Sequence, residues 1–303
     1  MHVLHALVKP FKPKLVSSSK QYPAGSQELQ PHATAKKRCK VSQRKVEGVF
    51  IYDLESRSPH GTAAGRRVYY FAGGGWQQPP SSQHWKFCAE IVNKVPDTTV
   101  SIVSHPLAPN SPASAAMPQL QRLYTSILAQ SRDNNETVVF AGDSSGANVA
   151  LGLIVLMLTD NADAVRPSAI FLISPALDLR PMSDEGQYQE TNSNDPILTI
   201  DSHNGEARQW AADMDPALPW ISPLNADPTL LYEAGVQIYG VTGGYDILTP
   251  DALAFKQKCE EARVTGQWLH WEKQMHCFPL AFIYGLPESV QSKDWIIDRL
   301  KQI

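Results

Sequence analysis

Cysteine is scarce in this 303-residue chain. The four present, Cys39, Cys88, Cys259 and Cys277, lie far apart and none has the spacing of metal ligands. Four cysteines in so long a chain make no disulfide framework, so free thiols in a reducing compartment, and a cytoplasmic protein, are expected. No apolar run reaches the length of a membrane-spanning helix, so no stable membrane insertion is expected. The start, MHVLHALVKPFKPK, has no basic leading region and only a short apolar patch, which argues against a cleaved secretory signal. Charged residues are few, 19%, and hydrophobic residues make up 43%, the balance of a globular chain with a large core. Net charge is −3, yet residues 1–45 hold ten of the 27 Lys and Arg and a single acid, Glu28. That basic arm reads as solvated and lying on an acidic body; a membrane tether is the alternative. Lys36-Lys37-Arg38-Cys39-Lys40 is too short and isolated to argue for nucleic acid.

What the chain does have centres on Thr137 to Leu158, TVVFAGDSSGANVALGLIVLML. A β-branched and aromatic run, Thr137 to Ala141, reads as a buried strand. Gly142-Asp143-Ser144-Ser145-Gly146 follows, and then a helix apolar on nearly all sides. Gly142-x-Ser144-x-Gly146 between strand and helix is the pattern of a nucleophile elbow. The turn strains the serine backbone and lifts its hydroxyl into open space, while the helix start presents free N–H groups to the same spot.

The rest of the chain alternates. Residues 1–45 read as an irregular arm with room for one short helix. Strands are predicted at Val46–Leu54, Arg67–Ala72, Thr98–Val103, Ala169–Ile173, Val236–Val241 and Gln267–Trp271, with a turn over Ser56–Gly65. Helices are predicted at Gln83–Val95, at Pro118–Gln130 with Pro118 in the first turn, at Asp251–Arg263 and at Lys293–Ile303. Residues 180–235 are polar and rich in Asp, Asn and Pro, and read as an inserted, partly helical cap. Strands alternating with helices argue for an α/β, doubly wound, mostly parallel sheet, with the chemistry at the carboxyl ends of the strands. Gly73–Gly75, Ser144, Asp246 and His276 each follow a predicted strand.

A serine needs an adjacent base, and the base an orienting acid. The order Ser144, Asp246, His276 is that of an α/β-hydrolase triad. His276 would take the Ser144 proton, and Asp246 would hold the imidazole in the required tautomer. His84, His105, His203 and His270 compete for the base less well, and Asp251 is the runner-up acid. Backbone N–H groups of Gly73-Gly74-Gly75 and of Ser145 could receive an oxyanion. Trp76, beside that run, is a candidate substrate contact, with Trp210, Trp220 and residues around Phe255 as a guessed pocket wall.

Together these residues resemble the hormone-sensitive-lipase-like family of α/β-hydrolases, over about Val46 to the end. Gly142-Asp143-Ser144-Ser145-Gly146-Ala147-Asn148 resembles the family elbow, and Pro106-Leu107-Ala108-Pro109 its segment after a strand. Ile221-Ser222-Pro223-Leu224 resembles the family segment in the cap region, Tyr245-Asp246-Ile247-Leu248 the acid loop, and His276-Cys277-Phe278 the base loop. The style of the chain resembles that of fungal members. The resemblance implies an eight-stranded, mostly parallel sheet in residues 46–303. It implies a cap from the arm (1–45) and residues near 180–235, with Gly74, Gly75 and Ser145 at the oxyanion positions and no cofactor or metal. It implies a serine carboxylesterase acting through an acyl-enzyme on a small to medium, moderately apolar ester. A specialised lactonase, deacetylase or acyltransferase is the variant. A non-catalytic small-molecule binder, as plant gibberellin receptors are on this fold, is the rival. Two departures stand out. Ala72 replaces the histidine usual before the glycines, which would loosen the loop or widen the site, and Thr242-Gly243-Gly244 replaces the usual acid-loop lead.

Overall fold

The computed structural model describes residues 20–58 and 65–303. Eight strands form one sheet: β1 (Cys39–Val46), β2 (Val49–Ser56), β3 (Arg66–Phe71), β4 (Thr98–Ser104), β5 (Thr137–Asp143), β6 (Ala169–Ile173), β7 (Gln237–Gly243) and β8 (Gly266–Trp271). Their spatial order is β1-β2-β4-β3-β5-β6-β7-β8. β2 is antiparallel to both of its neighbours, and every other pairing is parallel.

Side-chain alternation along the strands makes two cores, one on each face. In β3, Tyr69 and Phe71 enter one core and Val68 and Tyr70 the other; in β5, Val138 and Phe140 oppose Val139 and Ala141. Helices α3 (Ala113–Asp133), α4 (Ser144–Asp160) and α8 (Thr249–Glu261) cover the first face, and α2 (Ser82–Lys94) and α9 (Pro287–Leu300) the second. Burial on both faces is why β3, β5 and β6 read as continuous apolar runs.

The apolar surface all round α4 has a specific cause. One side packs on β3, β5 and β6, and the other receives the segment after residue 217, whose Ile221 and Leu231 lie in the same core. At Gly152 a Cβ would fall 2.2 Å from the Trp220 carbonyl oxygen, so glycine lets that segment cross α4 in contact.

Three boundaries differ from expectation. Cys39–Val46 is a strand, hairpinned to β2 through Glu47-Gly48, where an irregular arm was expected. It is an edge strand with Lys40, Ser42, Gln43 and Lys45 exposed, so it lacks the apolar signature of its neighbours. Helix α3 begins at Ala113, which places Pro118 inside it, and α9 begins at Pro287, six residues before the predicted start. The first turn of α9 is poor in apolar residues, and that of α3 has only small alanines as apolar residues before Met117, so neither shows a clear periodicity. The described part of the arm lies against β2 and β4: the Leu29 N–H donates to Tyr52 Oη at 2.5 Å, and Ser26 Oγ donates to the Ser104 carbonyl at 2.6 Å. Its helix α1 (Ala33–Arg38) packs on α2 and β1. Residues 1–19 and most of the expected Ser56–Gly65 turn lie outside the described residues. Among the described residues, no helix is long and apolar enough to cross a membrane.

The expected cap divides in two. Helix α6 (Ile200–Ala211) and the link that joins it to α5 (Gln187–Asn194) wall the cavity at the carboxyl ends of the strands. Residues 218–233, including α7 (Thr229–Glu233), pack instead with the core against α4.

Candidate active site

The elbow is formed by steric need. Ser144 has φ +52°, the left-handed region that L-residues avoid, at the junction of β5 and α4. A Cβ at position 146 would fall 2.2 Å from the Phe71 carbonyl oxygen, so only glycine lets α4 start against the end of β3. Ser144 opens on a cavity of about 760 Å³, shared with Gly74, Gly75, Trp76 and His276. Ser145 is buried in the first turn of α4, and its Oγ has no hydrogen-bond partner among the described residues.

His276 follows β8, and its Nδ1 lies 2.9 Å from Asp246 Oδ2 in the loop after β7. Asp246 is fully buried, and its Oδ1 accepts the Leu248 N–H at 2.9 Å. Burial works against a charge on His276, but the Asp246 carboxylate outweighs it and raises the imidazole pKa well above the usual histidine value. His276 Nε2 is 3.4 Å from Cys277 Sγ, a thiol whose pKa burial pushes up to about 12.

The competing residues separate cleanly. His84 also meets a carboxylate, Asp143, with Nε2 at 3.1 Å from Oδ2, but its Nδ1 is occupied by the Ser81 N–H at 2.9 Å. Both of its nitrogens are therefore committed. Burial pushes His105 and His203 down to about 4, so both stay uncharged. His270 is exposed and pairs with Thr242 Oγ1 at 3.0 Å. Asp251 accepts from Tyr188 Oη at 2.5 Å and meets no histidine.

The roles of four residues of the site escaped the sequence reading, two of them, Asp143 and Asn148, inside the elbow motif itself. Asp143 anchors the glycine run from the elbow side. Its Oδ1 accepts the Gly73 N–H at 3.0 Å and the Tyr70 hydroxyl at 2.7 Å. Burial would raise its pKa, but His84 and these hydrogen bonds hold it below the usual carboxylate value. Ala72 is itself buried beside the elbow, so the loop is pinned without a histidine before the glycines. Asn148 accepts from Trp76 Nε1 at 3.2 Å and donates to the Ile221 carbonyl at 2.9 Å, tying the glycine loop, α4 and the core-packed strap together. Asp195, fully buried, accepts the N–H groups of Ile197, Leu198 and Ile247 at 2.7, 2.9 and 3.0 Å. It thus joins the α5–α6 link to the Asp246 loop. Glu206, on α6, stands in the cavity wall. An Asp four residues before a helix N-cap and a Glu on the edge of the inward stripe Ile200, His203, Ala207, Trp210 were the available signals.

The guessed pocket wall is corrected. Trp210 and Phe255 are buried in the core and Trp220 packs against it; none lines the cavity. Trp76 does line it, with its ring stacked on Trp210 at 6.3 Å. Leu198, Leu248, Met275 and Leu280 supply apolar wall, and Gln77, Gln78, Gln83, Ser202 and Gln209 polar wall.

Against known proteins, a family model described as alpha/beta hydrolase fold matches residues 68–280. A protein of Acinetobacter venetianus named "Esterase" is 30% identical over 187 residues, which span 59% of this chain and 59% of that one. Two solved structures share the fold. One is a hormone-sensitive lipase from a metagenome library, with TM-score 0.79, 18% identity and coverage of 99% of this chain and 97% of that one. The other is an esterase from the bacterial hormone-sensitive lipase family, with TM-score 0.77, 19% identity and coverage of 98% and 97%. With most of the sheet, the elbow and the paired histidine inside the matched stretch, this chain belongs to the alpha/beta hydrolase fold family.

Proposed function

We propose that this protein is a serine carboxylesterase working through an acyl-enzyme, with Ser144 as nucleophile, His276 as base and Asp246 as its orienting acid. The observation that carries the reading is the convergence on one cavity of a left-handed serine, a glycine run and a histidine paired to a buried carboxylate. The Acinetobacter relative's name points the same way.

In this mechanism Ser144 Oγ attacks the ester carbonyl carbon as His276 Nε2 takes the hydroxyl proton. The thiol of Cys277 is a weak partner for Nε2 and gives way to the serine hydroxyl. Backbone N–H groups of Gly74, Gly75 and Ser145 receive the oxyanion, each such donor lowering the barrier by about 2.7–4 kcal/mol. The C–O bond breaks and the alcohol leaves with the proton from His276. Water, deprotonated by His276, then cleaves the acyl-serine and releases the acid. The cavity volume fits a small to medium ester.

The test is intact-mass labelling with a fluorophosphonate. Wild type is expected to take one adduct, and Ser144→Ala none. Folded wild type that takes no adduct would overturn the reading and favour a binding protein on this fold.

A further inference from the structure

Helix α6 turns Ile200, His203, Ala207 and Trp210 inward, and Glu206 sits on the edge of that stripe, three residues after His203. Its carboxyl lies directly over Gly75: a Cβ there would fall 2.3 Å from Oε2 and 2.7 Å from Oε1. Gly75, at φ +60°, thus leaves the space that Glu206 fills. Among the described residues Glu206 has no hydrogen-bond or ion-pair partner, and no Lys or Arg lines the cavity. A carboxylate taken from water without a paired cation is costly, and no Lys or Arg of the cavity offsets that.

The ionisable groups facing it have other partners or carry no positive charge. His276 lies within electrostatic reach across the cavity but is committed to Asp246. Asp143 is committed to His84, Tyr70 and Gly73. His203, one turn back on α6, is held uncharged, and Asp201 adds a second acid at the mouth. Burial pushes the Glu206 carboxyl up to about 7, as expected of an acid awaiting a partner.

Resting on the esterase reading, we propose that Glu206 is a specificity-determining residue that binds a protonated amine on the acyl or alcohol part of the ester. A cation beside Gly75 would pair with the carboxylate in a water-poor wall, where a charge-assisted hydrogen bond is strong. A neutral ester of the same shape leaves that half-buried carboxyl unpaired.

The test compares isosteric pairs that differ by ammonium against methyl. One pair is 4-nitrophenyl 3-aminopropanoate and 4-nitrophenyl butanoate; the other is 2-aminoethyl butanoate and propyl butanoate. In at least one pair at pH 8, wild type is expected to favour the ammonium ester in kcat/KM, and Glu206→Gln to reduce that ratio about 10- to 100-fold. Comparing ratios between wild type and variant cancels the intrinsic reactivity of each ester. Ratios unchanged by Glu206→Gln in both pairs would overturn the proposal. Dissociation constants of the matching amides, measured by calorimetry, need no turnover. Wild type that hydrolyses no ester, yet loses amide ammonium preference in Glu206→Gln, would refute the esterase reading and retain Glu206 as a cation site.

Discussion

His276 and Asp246 show how one contact sets a residue's chemistry. The carboxylate holds the imidazole pKa above its usual value, and under the proposed mechanism the base must be neutral to take the Ser144 proton. Activity on a neutral ester is therefore expected to rise with pH, with an acid limb above the ordinary histidine value of about 6.5. Asp246→Asn should cost about 10³–10⁴ in kcat and move that limb to lower pH, since the charge that raises it is gone. A pH–rate profile of both proteins checks this; an unmoved limb would separate Asp246 from the base. These two residues were legible because each follows a strand in a short loop. Glu206 and Asp143 were not, because their importance lies in what faces them: Gly75 in one case, His84 and the Gly73 N–H in the other.

Among the elements, Asn148 is the most consequential tie. It lies one turn into α4, buried, and hydrogen-bonds both Trp76 of the glycine loop and the Ile221 carbonyl of the strap. Asn148→Ala removes both bonds and leaves the indole N–H and a carbonyl unpaired in the core. A loss of about 2–4 kcal/mol is expected in urea unfolding, with a fall in kcat as the glycine loop loosens. A stability change below about 0.5 kcal/mol would mean that water or a new partner replaces Asn148. The apolar helix after the elbow was visible in the sequence, but its second partner was not. Residues 218–233 look polar and loop-like, and only their crossing of α4 at Gly152 packs them with the core. The same holds in reverse for β1, whose Lys- and Arg-bearing edge concealed a regular strand.

At the scale of the whole molecule, buried ionisable groups set a stability profile with pH. Burial lifts Glu206 to about 7, so the stability it contributes is full below the unfolded carboxyl value of about 4.5 and is lost as pH rises through 7. His276, also raised, contributes stability below about 6.5 that is lost as pH climbs through its folded value. His105 and His203, lowered to about 4, act oppositely: their contribution is full above about 6.5 and is lost on acidification toward 4. Between pH 6.5 and 8.5 only the losses remain, so Tm is expected to fall across that range. Glu206→Gln should flatten the early part of the fall and raise Tm at pH 8 more than at pH 5. Scanning calorimetry of the two proteins checks this; parallel curves would mean that Glu206 is solvated. By itself the sequence determined the two-faced parallel sheet, the elbow and the chain order of Ser144, Asp246 and His276, because strand periodicity, glycine sterics and short loops after strands are local properties. Only the tertiary structure decided which half of the inserted segment walls the cavity, what pins the glycine run in place of a histidine, and that a carboxyl stands over Gly75. Those depend on contacts between residues 50 to 130 positions apart, and no local pattern encodes which side chain meets which across that distance.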